Sequence, residues 1–248
     1  MRRFCPLLNL ALVSLVLVLP STAQSANSAG KNTPEALVST YNQSMQAKDW
    51  PAAIAAAQQL VDANPTSANL YLLGNAQLYA TTGKSDTGAM EATRAIYDRA
   101  LAAAQQEKPA EGQPDTAWKD GESQIYIGRG NALLKLHRTP EAIEMYNQAA
   151  ELASNPGKAY FNVCAVYYNI GDTHNSAAAC RKCVQADPAR ENAWFVLGSD
   201  LFADAPFDAS GKIVVSDEAR QALEKYLELA PNGPHAADVK AMLQMLAK

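Results

Sequence analysis

A period of 34 residues is the feature that most constrains the fold of this chain. The segments 123–156 and 157–190 each contain two helical patterns, separated by a turn at 137–140 in the first and at 171–172 in the second. Neither pair of helices can bury its apolar side alone, so consecutive pairs must pack against one another. The period therefore predicts an all-α solenoid of stacked helical hairpins.

Small and large residues recur at matching positions of both segments. In the first helix a small residue, Gly130 or Cys164, precedes a large one, Leu133 or Tyr167, by three positions. The second helices carry further small residues at two matching positions, which are Ala142, Ala149, Ser176 and Cys183. Small side chains let two helices approach closely, and the large ones fill the space between them.

This pattern, with Asp187-Pro188 near the end of the second segment, resembles the tetratricopeptide repeat family. The resemblance implies a right-handed α-α superhelix of about five helix-turn-helix repeats over residues 34–248, completed by a C-terminal capping helix. The predicted repeats are 34–66, 67–105, 123–156, 157–190 and 191–233, with a linker at 106–122 and the capping helix at 234–247.

Two insertions interrupt the repeats, and each falls between the two helices of a pair. One is 81–88 in the second repeat, and the other is 205–215 in the fifth. In the second insertion, Asp-Ala-Ser-Gly-Lys followed by Ile-Val-Val predicts a small hairpin. Both insertions are interpreted as tolerated surface loops, with a functional role as the alternative.

Residues 1–23 have the composition of a secretory signal peptide. Arg2 and Arg3 precede an apolar run at 7–19, and Pro20 is followed by small residues that suit cleavage after Ala23. We therefore expect an exported bacterial protein, periplasmic, envelope-associated or secreted, with a flexible leader at 24–33. An uncleaved anchor that tethers the scaffold to the membrane is the alternative. The apolar run is shorter than the roughly 20 residues of a transmembrane helix, so no membrane insertion is expected after cleavage.

The composition argues against several other functions. Acidic residues number 25 against 21 basic ones, and no concentrated basic face is evident, so a nucleic-acid partner is not expected. The chain contains no glycine-rich phosphate loop, metal-binding histidine pair or nucleophile elbow. We therefore predict no enzymatic activity, no cofactor and no metal site.

The predicted binding surface follows from the resemblance, because in this family the first helices of the repeats line a concave groove. The residues at the corresponding positions here are Tyr71, Asn75, Leu78, Ile127, Asn131, Leu134, Phe161, Tyr168, Phe195 and Phe202. Apolar walls would bury the side chains of a bound peptide or helix, and asparagine amides can both donate to and accept from its backbone. The predicted function is an exported scaffold that binds one or more proteins in this groove. Packing on neighbouring helices is the alternative role for the apolar positions.

Some family members bind a C-terminal carboxylate with a clamp of two asparagines, a lysine and an arginine. Asn131 and Asn162 occupy the two asparagine positions here. The basic positions instead hold Ile127, Asn192 and Val196. The clamp is therefore incomplete, and specificity for chaperone tails is not predicted.

Three cysteines of the predicted mature chain support a rival hypothesis. Cys180 and Cys183 have the spacing of redox or metal-binding pairs, and the intervening Arg181 and Lys182 could lower a thiol pKa. However, these cysteines and Cys164 fall at repeat positions that the fold fills with core residues. Packing in the core is the preferred interpretation. A structural disulfide, or a thiol-active envelope protein that uses Cys180 and Cys183, remains open.

Overall fold

The computed structural model describes residues 33–83, 86–107, 109 and 115–246 of the 248-residue chain. Within these ranges the chain forms eleven α-helices and no strand longer than a single bridge. It divides into two compact units, one that ends at Arg138 and one that begins at Thr139. The predicted signal peptide at 1–23 and nearly all of the leader at 24–33 lie outside the described residues, so both stay predictions.

The N-terminal unit, taken here as the described residues up to Arg138, contains five helices. They are α1 (Pro34–Ala47), α2 (Trp50–Ala63), α3 (Ser67–Ala80), α4 (Thr87–Gln106) and α5 (Asp115–Lys135). Each helix packs on the next one along the chain, and α3 also packs on α5. Contacts between neighbours and next-but-one neighbours are those of stacked helical hairpins.

The C-terminal unit, residues 139–246, contains six helices. They are α6 (Thr139–Leu152), α7 (Gly157–Ile170), α8 (Thr173–Ala186), α9 (Glu191–Ala203), α10 (Asp217–Leu229) and α11 (Ala236–Leu246). Consecutive helices again pack together, α7 also contacts α9, and α9 contacts α11. The predicted all-α repeat architecture is therefore confirmed within each unit.

Local sequence accounts for many of the helix starts. Six helices begin after a Ser, Thr or Asp whose side-chain oxygen accepts a hydrogen bond from the backbone N–H three residues later. These residues are Thr33, Asp49, Thr66, Asp86, Asp172 and Ser216. Each such cap satisfies one of the N–H groups that a helix start leaves unpaired and contributes about 1 kcal/mol.

The structure differs from the prediction at the linker 106–122. Helix α5 begins at Asp115, so the second half of that segment forms two additional helical turns before Ser123. Glycine inside a helix costs only about 1 kcal/mol relative to alanine, so Gly121 does not interrupt α5. Apolar packing favours the longer helix, because its first turns place the Trp118 ring in a half-buried position.

The insertion at 205–215 forms the hairpin that its sequence predicts. Phe207 and Ile213 make an antiparallel bridge. The Asp208 backbone N–H donates to the Lys212 carbonyl at 2.8 Å, and the Asp208 carboxylate accepts from the Lys212 N–H at 3.0 Å. Gly211 has φ +82°, a left-handed conformation that glycine adopts without strain.

Helix α11 covers the end of the C-terminal unit, as expected of a capping helix. Val239 is fully buried, and Met242, Leu243 and Leu246 are half-buried on the predicted apolar face. The helix packs on both α9 and α10. Helix α11 thereby removes apolar surface of the last repeat from water.

Candidate functional site

The structure divides the predicted groove residues into two groups by burial. Half-buried side chains retain surface that a partner could contact, and these are Tyr71, Asn75, Leu134, Phe161, Tyr168 and Phe202. Four others expose less than a tenth of their surface, and these are Leu78, Ile127, Asn131 and Phe195. The second group therefore packs within its own unit in this conformation. Because the two units are separate bodies, each supplies its own candidate surface.

In the N-terminal unit, Asn75 belongs to a cluster of tyrosines. The Tyr97 hydroxyl donates to Asn75 Oδ1 at 3.2 Å, and Tyr97 is fully buried. The Tyr71 ring lies 6.4 Å from the Tyr97 ring, in a tilted arrangement. Burial raises the pKa of Tyr71 to about 12, and a hydrogen bond with Asn75 opposes that rise. The Asn75 amide oxygen therefore already accepts a hydrogen bond within the tyrosine cluster.

Two glycines make the space that Tyr97 occupies. A Cβ atom on Gly128 of α5 would lie 2.3 Å from Tyr97 Cε1, and one on Gly74 of α3 would lie 2.9 Å from the same atom. Real carbon atoms do not approach so closely without displacement. The aromatic ring is therefore enclosed between α3 and α5, beneath Tyr71 and Asn75.

In the C-terminal unit, three half-buried aromatics define the surface called here the aromatic face: Phe161, Tyr168 and Phe202. Phe161 and Tyr168 are seven residues apart, so they lie on one side of α7. Phe202 lies on α9, which packs on α7. These residues form the most apolar group of half-buried candidates.

Positive charge lies beside the aromatic face. The guanidinium carbon of Arg190 is 5.4 Å from the centre of the Phe161 ring, within cation–π range. Arg190 also pairs with Asp187, with 2.8 Å between Nη2 and Oδ2. Burial and, to a smaller extent, the charge of Arg190 lower the pKa of Lys158 to about 8. The surface therefore offers aromatic and cationic groups together.

Phe195 has a different role from the one its repeat position predicts. Its ring stacks on His235 with 3.8 Å between centroids, and it lies 5.6 Å from the Tyr226 ring. The His235 backbone N–H donates to the Tyr226 hydroxyl at 3.0 Å. Burial lowers the pKa of His235, and Asp238 partly opposes the change. Phe195 therefore anchors the segment that leads into α11 and is 5% exposed.

The cysteines are buried, as the core interpretation expects, but two of them are bonded. Cys164 on α7 and Cys180 on α8 form a disulfide with 5.1 Å between their Cα atoms. Cys183 is a free, fully buried thiol that donates to the Gly157 carbonyl at 3.2 Å. Burial raises the pKa of Cys183 to about 12, which opposes the thiolate that redox chemistry requires. The hypothesis of a reactive pair at Cys180 and Cys183 is therefore wrong for this state.

A half-open recess that sequence reasoning did not identify lies among α6, α7 and α8. Its volume is about 190 Å³, and its lining includes Asn147, Tyr160, Tyr167 and Lys182. The Lys182 ammonium nitrogen lies 5.5 Å from the centre of the Tyr160 ring. No motif or repeated spacing in the sequence distinguishes these residues from ordinary surface residues.

The described residues also bear on two other kinds of site, a metal site and a membrane-spanning helix. Among those that the structure describes, no three His, Cys, Asp or Glu side chains are grouped so that they could hold a metal ion. None of the helices described here is both long and apolar enough to cross a bilayer.

The two units of stacked helical hairpins define an all-α helical-repeat protein. Residues 123–156 and 157–190 each match the tetratricopeptide repeat family. These two segments are therefore tetratricopeptide repeats, which together make up about a quarter of the chain.

Solved structures share this fold. The superposition on MamA covers 82% of this chain and 94% of the MamA chain, with a TM-score of 0.53 and 18% sequence identity. YrrB is a tetratricopeptide repeat protein with an unusual peptide-binding site. The superposition on YrrB covers 86% of this chain and 94% of the YrrB chain, with a TM-score of 0.52 and 16% sequence identity. At these identities the likeness shows the fold alone.

Curated relatives match over shorter stretches. Hsp70-Hsp90 organizing protein 1 of Glycine max is 27% identical over 107 residues, which are 43% of this chain and 17% of that protein. Hsp70-Hsp90 organizing protein of Triticum aestivum is 29% identical over 110 residues, in a comparison that covers 37% of this chain and 19% of that protein. The chain thus spans less than a fifth of the length of these relatives.

Proposed function

We propose that this protein is an exported interaction scaffold that binds a peptide or helix of a partner protein, without catalysis, on the concave side of its repeats. The observation that carries the proposal is the aromatic face formed by Phe161, Tyr168 and Phe202. Partly exposed aromatics on rigid helices can bury apolar side chains of a partner at little cost in conformational entropy. The tetratricopeptide repeat fold, found in proteins that bind partners or peptides, supports the same conclusion.

The C-terminal unit is the better candidate for partner binding. In the N-terminal unit Leu78, Ile127 and Asn131 are buried, and Asn75 accepts a hydrogen bond from Tyr97. In the C-terminal unit only Phe195 of the four candidates is withdrawn into the core. The aromatic face therefore retains more of the predicted apolar contact surface.

Charge indicates which ligands suit this surface. Arg190 and Lys158 lie beside the aromatic face, so a segment with apolar anchors and a neighbouring acidic group would match it. Despite the similarity to Hsp70-Hsp90 organizing proteins, we do not extend the proposal to chaperone tails. Ile127, Asn192 and Val196 stand at the basic positions of the carboxylate clamp.

Export is the second part of the proposal. The basic start, apolar run and small residues of 1–23 support it, as does the disulfide between Cys164 and Cys180, which suits an oxidising compartment. The test is the mass of the protein recovered from the native cell. A chain that begins at Gln24 in the envelope or medium supports export and cleavage, and a full-length chain in the membrane supports the tethered alternative.

Partner binding is tested by paired capture from envelope extract. The bait is residues 24–248, beside a variant with Phe161→Ala, Tyr168→Ala and Phe202→Ala. Phe207→Ala is the matched control, because Phe207 is an aromatic residue of the hairpin that is 72% exposed. Circular dichroism and melting first establish that all three are folded.

A partner that is held by the wild type and the control but lost by the triple variant supports the aromatic face. Its binding segment is then synthesised, and fluorescence anisotropy is expected to show at least a tenfold weaker affinity for the triple variant, about 1.4 kcal/mol. Equal capture by all three proteins would contradict the proposed surface.

A further inference from the structure

Asp200 occupies a position that earlier repeats fill with apolar side chains. The residue one period before it is Val166 on α7, and the residue two periods before it is Ala132 on α5. All three are buried, with 3%, 3% and 0% of their surface exposed. The repeat therefore calls for an apolar residue where this chain places a carboxyl group. Such a group is retained against its desolvation cost only if its surroundings can satisfy it.

The surroundings of Asp200 satisfy one protonation state better than the other. Ser176 of α8 is fully buried, and its hydroxyl lies close enough to the Asp200 carboxyl group to influence the pKa of that group. The Ser176 hydroxyl also lies 3.2 Å from the Cys164 carbonyl oxygen, to which it donates. Asp200 Oδ2 is buried without a hydrogen-bond partner among the described residues.

A proton on the carboxyl group allows a complete chain of hydrogen bonds. Asp200 can then donate to Ser176 while Ser176 keeps its bond to the Cys164 carbonyl. An ionised carboxylate can only accept, so Ser176 would have to turn from Cys164 to Asp200. Either the carbonyl or the carboxylate then lacks a donor inside the protein, which is unfavourable for a buried group.

Neighbouring charges act in the same direction. Asp172, which caps α8, and Asp204, which follows α9, both repel an ionised Asp200. Within the described residues, α7, α10 and α11 also pack on α9 and present no charged group that shifts the titration of Asp200. Burial, the largest influence, raises the pKa of Asp200 to about 7. Donation from Ser176 to an ionised carboxylate would act in the opposite direction, and repulsion by Asp204 and Asp172 adds to the rise in pKa.

We propose that Asp200, Ser176 and the Cys164 carbonyl form a pH-sensitive joint between α8 and α9, closed when Asp200 carries a proton and loosened when it ionises. The disulfide ties Cys164 to α8, so the α7–α8 side of the joint is held covalently. Helix α9 has no such bond and packs on α10 and α11. The opening is therefore expected in α9 and the helices after it, and α7 and α8 are expected to stay closed.

The sign of the effect follows from the two states. In the unfolded chain the pKa of an aspartate is about 3.9, well below the pKa of Asp200 in the joint. Between these two limits the open state releases a proton and the closed state retains it, so opening becomes more favourable as pH rises. The opening constant should increase about tenfold per pH unit between pH 5 and pH 7 and then level off.

Hydrogen–deuterium exchange with mass spectrometry tests the joint on residues 24–248. Exchange of α9 peptides is measured from pH 5 to pH 8.5 and corrected for intrinsic amide exchange with the Asp200→Asn variant. Asp200→Val, which copies Val166, is a second non-titrating variant. Asp204→Asn is the matched control, because it removes a nearby exposed carboxylate and keeps Asp200.

The expected result is a rise in α9 exchange for the wild type that both Asp200 variants lack. The control should keep the rise but level off at lower pH, because one repelling charge is gone. If amide exchange of the α9 peptides has the same pH dependence in the wild type and in Asp200→Val, the proposal is overturned. If neither Asp200 variant folds, the pKa of Asp200 is measured by carbon-13 NMR titration of aspartate-labelled wild type. An Asp200 pKa of about 4 overturns the proposal.

Discussion

The two units build the same helical-repeat geometry from different interior chemistry. In the N-terminal unit, Tyr97 fills a space that Gly74 and Gly128 leave open and donates to Asn75. In the C-terminal unit, a disulfide links α7 to α8, and Asp200 and His235 are buried on or beside α9. The repeat thus specifies where small and large groups belong, and it tolerates several ways of filling those places.

Because their buried residues differ, the two units are expected to respond differently to changes in solution conditions. Burial raises the pKa of Tyr71 and Tyr97 above the usual tyrosine value, so these groups stay neutral around pH 7. The C-terminal unit contains a bond that reductants break and two buried groups that titrate. The N-terminal unit has a buried carboxyl group of its own, Glu122, whose pKa is raised by burial. We therefore expect both units to respond to pH, but only the C-terminal unit to respond to reductants.

The largest expected effect is that of reducing the disulfide. Cys164 and Cys180 are 16 residues apart, and closing a loop of that size stabilises a fold by about 3 kcal/mol. A phosphine reductant should therefore increase amide exchange throughout 139–246 and leave 33–138 unchanged. The Cys164→Ala, Cys180→Ala double variant is the control and should not respond to the reductant. An equal increase in amide exchange in both units would contradict the expectation that only the C-terminal unit responds to reductants.

The next largest effect concerns the space around Tyr97. Gly128→Ala would place a carbon atom 2.3 Å from Tyr97 Cε1, and overpacking of this kind destabilises a fold by about 2 kcal/mol. Gly121→Ala is the matched control on the same helix, because no atom lies within 4 Å of its added Cβ. Alanine there should stabilise α5 by up to about 1 kcal/mol. Urea unfolding measures both, and shifts of the same sign would show that Tyr97 is not tightly enclosed.

The smallest effect should come from His235. Burial lowers its pKa below the ordinary histidine value of 6.5, so the folded state binds a proton less readily than the unfolded state. His235 therefore supports stability above about pH 6.5, and that support is lost as pH falls through its folded-state pKa. His235→Phe keeps a ring for Phe195 to stack on and cannot titrate. Its melting temperature should fall less than that of the wild type on acidification.

Asp200 and His235 act in opposite directions, which makes them separable. Acidification favours the closed joint through Asp200 and weakens the contact of Phe195 with His235. If His235→Phe melted with the same acid dependence as the wild type, the acid response of the C-terminal unit would have to come from other groups. Comparison of the single variants with the double variant distinguishes these contributions.

Local features of the chain were sufficient to predict most of the fold. The 34-residue period predicted helical hairpins, and the hairpin insertion followed from Asp208 to Lys212. These features act over a few residues, through capping, turns and side-chain spacing. The linker 106–122 was the exception, because its helical turns place Trp118 in a half-buried position, and the local composition does not show that packing.

The candidate site was less predictable. Repeat position placed Phe195 and Phe161 in the same column, yet Phe195 is covered by His235, whereas Phe161 stays half-buried beside Arg190. The exposure of a helix residue depends on which other helices arrive beside it. A column of equivalent positions therefore does not give equivalent surfaces, especially next to the end of the repeats.

By itself, the sequence determined the helical repeats, their capped starts and the hairpin, because these depend on contacts between residues close along the chain. Only the tertiary structure decided that Cys164 pairs with Cys180, that Asn75 serves Tyr97, and that Asp200 is buried against α8. Each of these outcomes depends on the distance between groups on different helices. Packing sets those distances, and it also sets the local dielectric environment that makes a buried carboxyl group or thiol behave differently from an exposed one.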